Sequence, residues 1–200
     1  MKLSVSGLAA TRSGRSVFSH LGFTVNAGEA LALMGPNGSG KSTLLRVLAG
    51  LLPSSSGRIE WSGGQEDAPL SEESHYLGHR DALKPALTPL ELLNFWRSLL
   101  GRPATEPLTA LERVGLAHAV DLPSAYLSAG QRRRLSLARL LVAHRPLWLL
   151  DEPMAALDQA SEAMFGILVA DHLARGGLAL IATHTPLPLP TRTLSLVGTS

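Results

Sequence analysis

Eight consecutive residues, Gly35-Pro36-Asn37-Gly38-Ser39-Gly40-Lys41-Ser42, constrain this chain more than any other feature. They fit G-x-x-x-x-G-K-[ST], the pattern of a phosphate-binding loop. An apolar run, residues 29–34, precedes them, and a helical pattern over residues 42–52 follows. The motif needs that context, a strand leading into a loop and then a helix. Glycines allow the backbone to curl so that several N–H groups point at one polyphosphate. The start of the helix adds the positive end of its dipole. Lys41 is placed to meet the outer phosphates, and the Ser42 hydroxyl can ligate Mg²⁺. Alone, the loop leaves kinases, GTPases and transporters open.

Two hundred residues suit one domain, or one domain with a subdomain. The absence of cysteine excludes disulfides, thiolate metal sites and cysteine nucleophiles. Seven histidines lie scattered without metal-ligand spacing. The formal net charge of +2 is a poor argument for a nucleic-acid partner. The N-terminus alternates like a strand and lacks the apolar core of a signal peptide. No apolar run approaches the length of a membrane span.

Residues 2–34 read as strands and turns, with short-period apolar positions at Val17, Phe18, Leu21, Phe23 and Val25. Residues 57–61 read as a further strand, and the polar residues 65–74 as a surface loop. From about residue 82 to 140 the pattern turns helical. Thr88-Pro89-Leu90-Glu91 has the form of a capping box with proline at the first helical position. It predicts a helix over residues 89–100, ended by Gly101-Arg102-Pro103, and a second helix follows over residues 108–114. The last third returns to alternating elements: a buried strand over 147–150, a helix over 160–175, a strand over 178–183 and an edge strand over 192–197. The order predicts an α/β fold with a parallel-sheet core, a small N-terminal antiparallel β region and an inserted α-helical lobe. The expected division is a single domain, with residues 1–75 and 141–200 as core plus β region and 76–140 as the lobe.

Three later features narrow the chemistry. Leu127-Ser128-Ala129-Gly130-Gln131 opens a helix at Ser128, which is either an ordinary N-cap or a second anion site. Leu147-Trp148-Leu149-Leu150-Asp151-Glu152-Pro153 sets two carboxylates at the end of a buried strand, where they are costly unless they face charge. Asp151 can hold Mg²⁺, and Glu152 can orient or deprotonate an attacking water. His184 follows the strand 178–183, where a histidine is either a surface residue or a γ-phosphate contact.

Together and in this order, these motifs resemble the ATP-binding-cassette family over essentially the whole chain. Ser128-Ala129-Gly130-Gln131 is similar to the family's signature, usually written LSGGQ, with alanine for the first glycine. Asp151-Glu152 resembles the Walker B pair, Ala155-Ala156-Leu157-Asp158 the D-loop, and His184 the switch histidine. The resemblance implies ATP as ligand and Mg²⁺ as cofactor. ATP would lie on Gly35, Pro36, Asn37, Gly38, Ser39, Gly40, Lys41, Ser42 and Thr43, with Ser42 and Asp151 on the metal. It implies a second copy of the chain in an ATP-sandwich dimer. Ser128, Ala129, Gly130, Gln131 and Asp158 of one copy would then face the nucleotide of the other. It also implies a membrane subunit docked near residues 76–88. Arg132-Arg133-Arg134 reads as a solvated helix face or as a site for lipid headgroups.

Two departures refine the resemblance. His79, in Tyr76-Leu77-Gly78-His79-Arg80, stands where the family has a glutamine near the metal and the water; it is either a substitute in catalysis or an exposed loop residue. Residues 9–15 lack the usual aromatic that stacks on adenine, leaving Arg12 or Arg15 for that role. The segments 76–79 and 86–93, Trp148 and His184-Thr185-Pro186-Leu187 are similar to one branch, the ATP-binding subunits of bacterial cytochrome c maturation and haem export. That branch implies membrane-spanning permease subunits of the maturation system as partners. It also implies a peripheral place on the cytoplasmic face of the inner membrane. Alternatives are a cassette of another export system, or a soluble cassette acting on DNA or ribosomes. The soluble types need a long coiled coil or two cassettes in one chain, and no heptads lie between Lys41 and Ser128.

Overall fold

The computed structural model describes residues 1–65 and 67–196. The chain divides into two compact units. The first comprises Met1–Tyr76, Arg145–Glu152 and the chain from Leu168; the second comprises Leu77–His144 and Pro153–Ile167.

The first unit carries two sheets. Strands β1 (Lys2–Arg12), β2 (Arg15–Asn26) and β4 (Ser56–Ser62) form an antiparallel sheet in the order β2-β1-β4. Along β1, Leu3, Val5, Leu8 and Ala10 are buried, and a bulge around Gly7 shifts the register so that apolar side chains stay inward. The second sheet has the order β5-β6-β7-β3-β8. Its strands are β3 (Ala30–Met34), β5 (Ser74–Leu77), β6 (Leu147–Asp151), β7 (Leu178–Ala182) and β8 (Arg192–Ser195). The pairings β6–β7, β7–β3 and β3–β8 are parallel. Every residue of β6 and β7 is buried, as expected of central strands covered on both faces. Helix α1 (Lys41–Leu48) turns Leu44, Leu45 and Leu48 into a core shared with Leu3, Phe18 and Val25 of one sheet and Leu33, Leu149 and Leu180 of the other. Burying an aliphatic side chain of this size is worth about 1.5–3 kcal/mol.

In the second unit, α2 (Pro89–Leu100) and α3 (Pro107–Arg113) pack on α4 (Ala129–Val142). The expected capping box is present: Glu91 N donates to Thr88 Oγ1 at 3.2 Å, and Thr88 N donates to Glu91 Oε2 at 2.8 Å. Helix α5 (Gln159–Ala174) begins in this unit and ends in the first.

Three expectations change, and a fourth falls partly outside the described residues. The helix expected over 42–52 ends at Leu48, because Gly50, at φ 71°, forms a Schellman turn: Leu51 N donates to Arg46 O and Gly50 N to Val47 O. The loop expected over 65–74 is not all surface. Glu73 and Ser74 are buried, Ser74 opens β5, and the Glu73 carbonyl accepts from Leu147 N, which seats the segment beside β6. The face expected at 132–134 is not solvated at Arg133, which is 2% exposed. The edge strand expected over 192–197 is present as β8, but Val197 lies outside the described residues. Among the described residues, no helix is long and apolar enough to cross a membrane.

Candidate functional site

The loop from Gly35 to Gly40 lies between β3 and α1, and its shape depends on glycine at two points. Gly35 adopts φ 147°, and a Cβ there would fall 2.4 Å from Leu196 O. Gly40, the residue before α1, adopts φ 99°, and a Cβ would fall 2.7 Å from Val17 Cγ1. No acidic residue occupies the first turn of α1, so its dipole end stays positive. Ser39 is 1% exposed, and its Oγ meets no hydrogen-bonding partner among the described residues. A buried hydroxyl in that position suits a phosphate oxygen. Lys41 is buried, and its Nζ donates to Gly35 O at 2.7 Å and Pro36 O at 3.1 Å. These carbonyls hold the ammonium at the loop, where an anion can compete for it.

Ser42 and Asp151 meet from opposite ends of the sequence. Ser42 Oγ donates to Asp151 Oδ1 at 2.9 Å. A hydroxyl and a carboxylate are hard oxygen donors, suited to Mg²⁺ completed by phosphate oxygens and water. Among the described residues no three His, Cys, Asp or Glu side chains gather to hold a metal unaided, so a divalent ion at Ser42 and Asp151 would need further ligands from a bound molecule or water.

Glu152 follows directly, at φ 50°, a backbone region that costs a non-glycine residue of order 1–3 kcal/mol. Its N–H donates to Ala182 O at 2.9 Å, which fixes the turn at the end of β7. One carboxylate oxygen, Oε2, lies 2.9 Å from His184 Nδ1. The ring is held out by a turn in which Thr183 Oγ1 donates to Thr185 O at 2.9 Å and accepts from Thr185 N at 3.1 Å. The His184 side chain is 69% exposed and that of Glu152 20%. The carboxylate is therefore partly sheltered, while the imidazole is largely exposed.

The remaining predicted residues belong to the second unit. Ser128 caps α4 with a second capping box: Gln131 N donates to Ser128 Oγ at 3.2 Å and Ser128 N to Gln131 Oε1 at 2.8 Å. Ala129 is exposed, whereas a Cβ on Gly130 would lie 3.0 Å from Ala156 O. The alanine therefore stands at the roomier of the two small positions. Asp158 caps α5, accepting from Ser161 N at 2.8 Å; hydrogen bonds from the Ser161 side chain and backbone hold its carboxyl below the ordinary value. His79 is exposed and has no hydrogen bond among the described residues.

Arg12 and Arg15 face each other at the β1–β2 turn, both exposed. Only Arg12 lines the cavity of about 120 Å³ that Thr43 and Arg46 also line. Two contacts carried no sequence signal. Arg46 Nε donates to Tyr76 Oη at 3.3 Å, which raises the arginine above its ordinary value. Trp148 stacks on His172 with ring centroids 3.9 Å apart.

A family model described as ABC transporter matches residues 18–155. A protein of Rhodopseudomonas palustris (strain BisB5), named cytochrome c biogenesis ATP-binding export protein CcmA, is 57% identical over 98% of each chain. A protein of the same name from Brucella abortus is 50% identical over 94% of this chain and 88% of its own. A solved ABC transporter ATP-binding protein of Pyrococcus furiosus superposes with a TM-score of 0.86 over 98% of each chain, at 24% identity.

Proposed function

The chain belongs to the ABC transporter family as one of its ATP-hydrolysing subunits, and on that premise we propose that it powers the cytochrome c maturation system. The proposed site is the cluster of Lys41, Ser42, Asp151, Glu152 and His184, with Mg²⁺ as cofactor. The observation that carries it is the pairing of two contacts on adjacent residues: Ser42 with Asp151, and Glu152 with His184.

In this reading the triphosphate displaces the Gly35 and Pro36 carbonyls from Lys41 and takes Ser39 Oγ as a donor. Ser42 and Asp151 hold Mg²⁺, which neutralises charge on the phosphate oxygens. Glu152 receives a proton from water as the water oxygen bonds to the γ-phosphorus and the bond to the leaving ADP oxygen breaks. His184 donates to Glu152 through Nδ1 and keeps the carboxylate aimed; a γ-phosphate oxygen accepts from Nε2 when that nitrogen also carries a proton. Arg12, at the edge of the cavity beside Thr43, supplies a cationic face for the base.

The names of the relatives support the finer reading. The partners are membrane-spanning permease subunits of cytochrome c maturation and a second copy of this chain, whose Ser128, Gly130 and Asp158 complete the nucleotide site. The subunit sits at the cytoplasmic face of the bacterial inner membrane, with residues 76–140 forming the lobe inserted into a core of 1–75 and 141–200. A deletion strain complemented with the wild-type gene or with Glu152→Gln tests it. Restored holocytochrome c with the wild type only is the expected result. Normal holocytochrome c without any functional copy would refute the branch while leaving the ATPase intact.

A further inference from the structure

The Arg132-Arg133-Arg134 run divides in the fold, and its middle member turns inward. Arg133 Nε donates to Pro153 O at 3.0 Å, and Nη1 donates to Gly78 O at 3.1 Å and to Asp81 Oδ1 at 3.0 Å. The Arg133 side chain is 3% exposed, against 26% for Asp81. One turn further along α4, Ser136 Oγ lies 3.1 Å from Asp81 O. Residues 78–81 are therefore fastened to α4 at both ends, and His79 lies between the fastenings.

A buried guanidinium is an expensive way to fill space, because an apolar side chain of similar volume avoids its desolvation. What the guanidinium supplies is a rigid fork that reaches acceptors in different directions at once. The three acceptors named above come from two segments. Gly78 and Asp81 flank His79, and Pro153 directly follows Glu152 in the chain. The arginine itself stands two residues after Gln131, in the first turns of the helix that Ser128 caps.

We propose that Arg133 is a positioning residue that fixes His79 and the turn after Glu152 relative to the start of α4. A displacement of α4, such as engagement of Ser128 by a nucleotide, is then carried to both segments by one side chain. This rests on the proposed nucleotide site and on His79 standing, as a substitute for the family's glutamine, near the metal and the water of that site. Arg133 itself touches no substrate.

The test uses the full chain, with Arg133→Met and Asp81→Asn, singly and combined. Three quantities are measured: the ATP dissociation constant, turnover, and the response of the His79 ring resonance to Mg·ATP. The expected result for Arg133→Met is affinity within about threefold of wild type, loss of the His79 response, and turnover reduced by about tenfold or more. Asp81→Asn should move the same readouts less, and the double variant no further than Arg133→Met, because both changes break one link. A role in stability alone would lower the melting temperature and leave the His79 response and turnover intact, which would overturn the proposal. Should Arg133→Met fail to fold, wild-type response and turnover in Asp81→Asn overturn it equally. Glu152→Gln separates the two readings: normal turnover there contradicts the hydrolytic site, while the His79 response remains a test of Arg133.

Discussion

His184 Nδ1 lies 2.9 Å from Glu152 Oε2, although 32 positions separate the two residues in the chain. The contact joins the ends of β6 and β7, which run parallel and register Asp151 against Ala182. It gives the carboxylate a defined direction without burying it. His184→Ala should reduce turnover by about 10–100-fold, the range expected when a proton acceptor loses its orienting partner. The ATP dissociation constant should change far less. Single-turnover hydrolysis with a parallel binding titration checks this, and unchanged hydrolysis would show that the contact is incidental.

Lys41 differs from Glu152 in what it should control. Its ammonium is buried at the loop and bonds only to backbone carbonyls among the contacts described. Lys41→Ala should abolish measurable ATP affinity, because a charged donor to phosphate is lost. Equilibrium dialysis with labelled ATP checks the outcome.

Gly40 combines two constraints that substitution can separate. An L-residue in its left-handed conformation costs about 1–2 kcal/mol. The added Cβ also meets Val17 Cγ1 at 2.7 Å and, less closely, Phe18 Cδ1 at 3.1 Å. Gly40→Ala should therefore destabilise by more than the conformational cost alone. In a Val17→Ala background the penalty should fall toward it. Denaturant titrations of the four proteins give the coupling; equal penalties in both backgrounds would mean that the clash is absent.

Much of this arrangement was legible in the sequence, for identifiable reasons. The loop at 35–42, the capping box at Thr88, the helix start at Ser128, and the strands expected over 147–150 and 178–183 announce themselves through local patterns that the fold then satisfies. Strand β5 did not, because two of the three residues it buries, Ser74 and His75, are polar. The burial of Glu73 and Ser74 depends on β6 lying alongside. Arg133 was misread because a run of three arginines looks the same whether or not the middle one faces inward, and only the return of residues 78–81 to α4 decides it. The stacking of Trp148 on His172 likewise depends on the last turns of α5 lying beside β6, where His172 Nε2 also lies 3.1 Å from Pro146 O.

Glu29 offers a test by pH. Its carboxylate accepts from Asn26 N at 2.9 Å and Nδ2 at 3.2 Å, and Arg192 Nη1 lies 3.2 Å away. The Asn26 backbone bond first, then the Asn26 side chain and Arg192, hold its carboxyl below its ordinary value. A carboxyl depressed in the folded state contributes stability that is complete above its unfolded value. That contribution is lost as pH falls through the folded value. The stability difference between wild type and Glu29→Gln should be under about 1 kcal/mol, since the group is partly exposed. It should hold from neutral pH to the ordinary carboxyl range and close below it. A difference that persists unchanged in acid would contradict the assignment.

The central claim is that Glu152 performs hydrolysis beside a metal held by Ser42 and Asp151. It is tested most directly by Glu152→Gln with Mg·ATP, measuring bound nucleotide, turnover and molecular mass on the same sample. The substitution keeps size and hydrogen bonding but removes the group that accepts the proton. The account predicts ATP bound with near wild-type affinity, turnover reduced by about a hundredfold or more, and a nucleotide-dependent shift from one copy to two. Turnover close to wild type would contradict it.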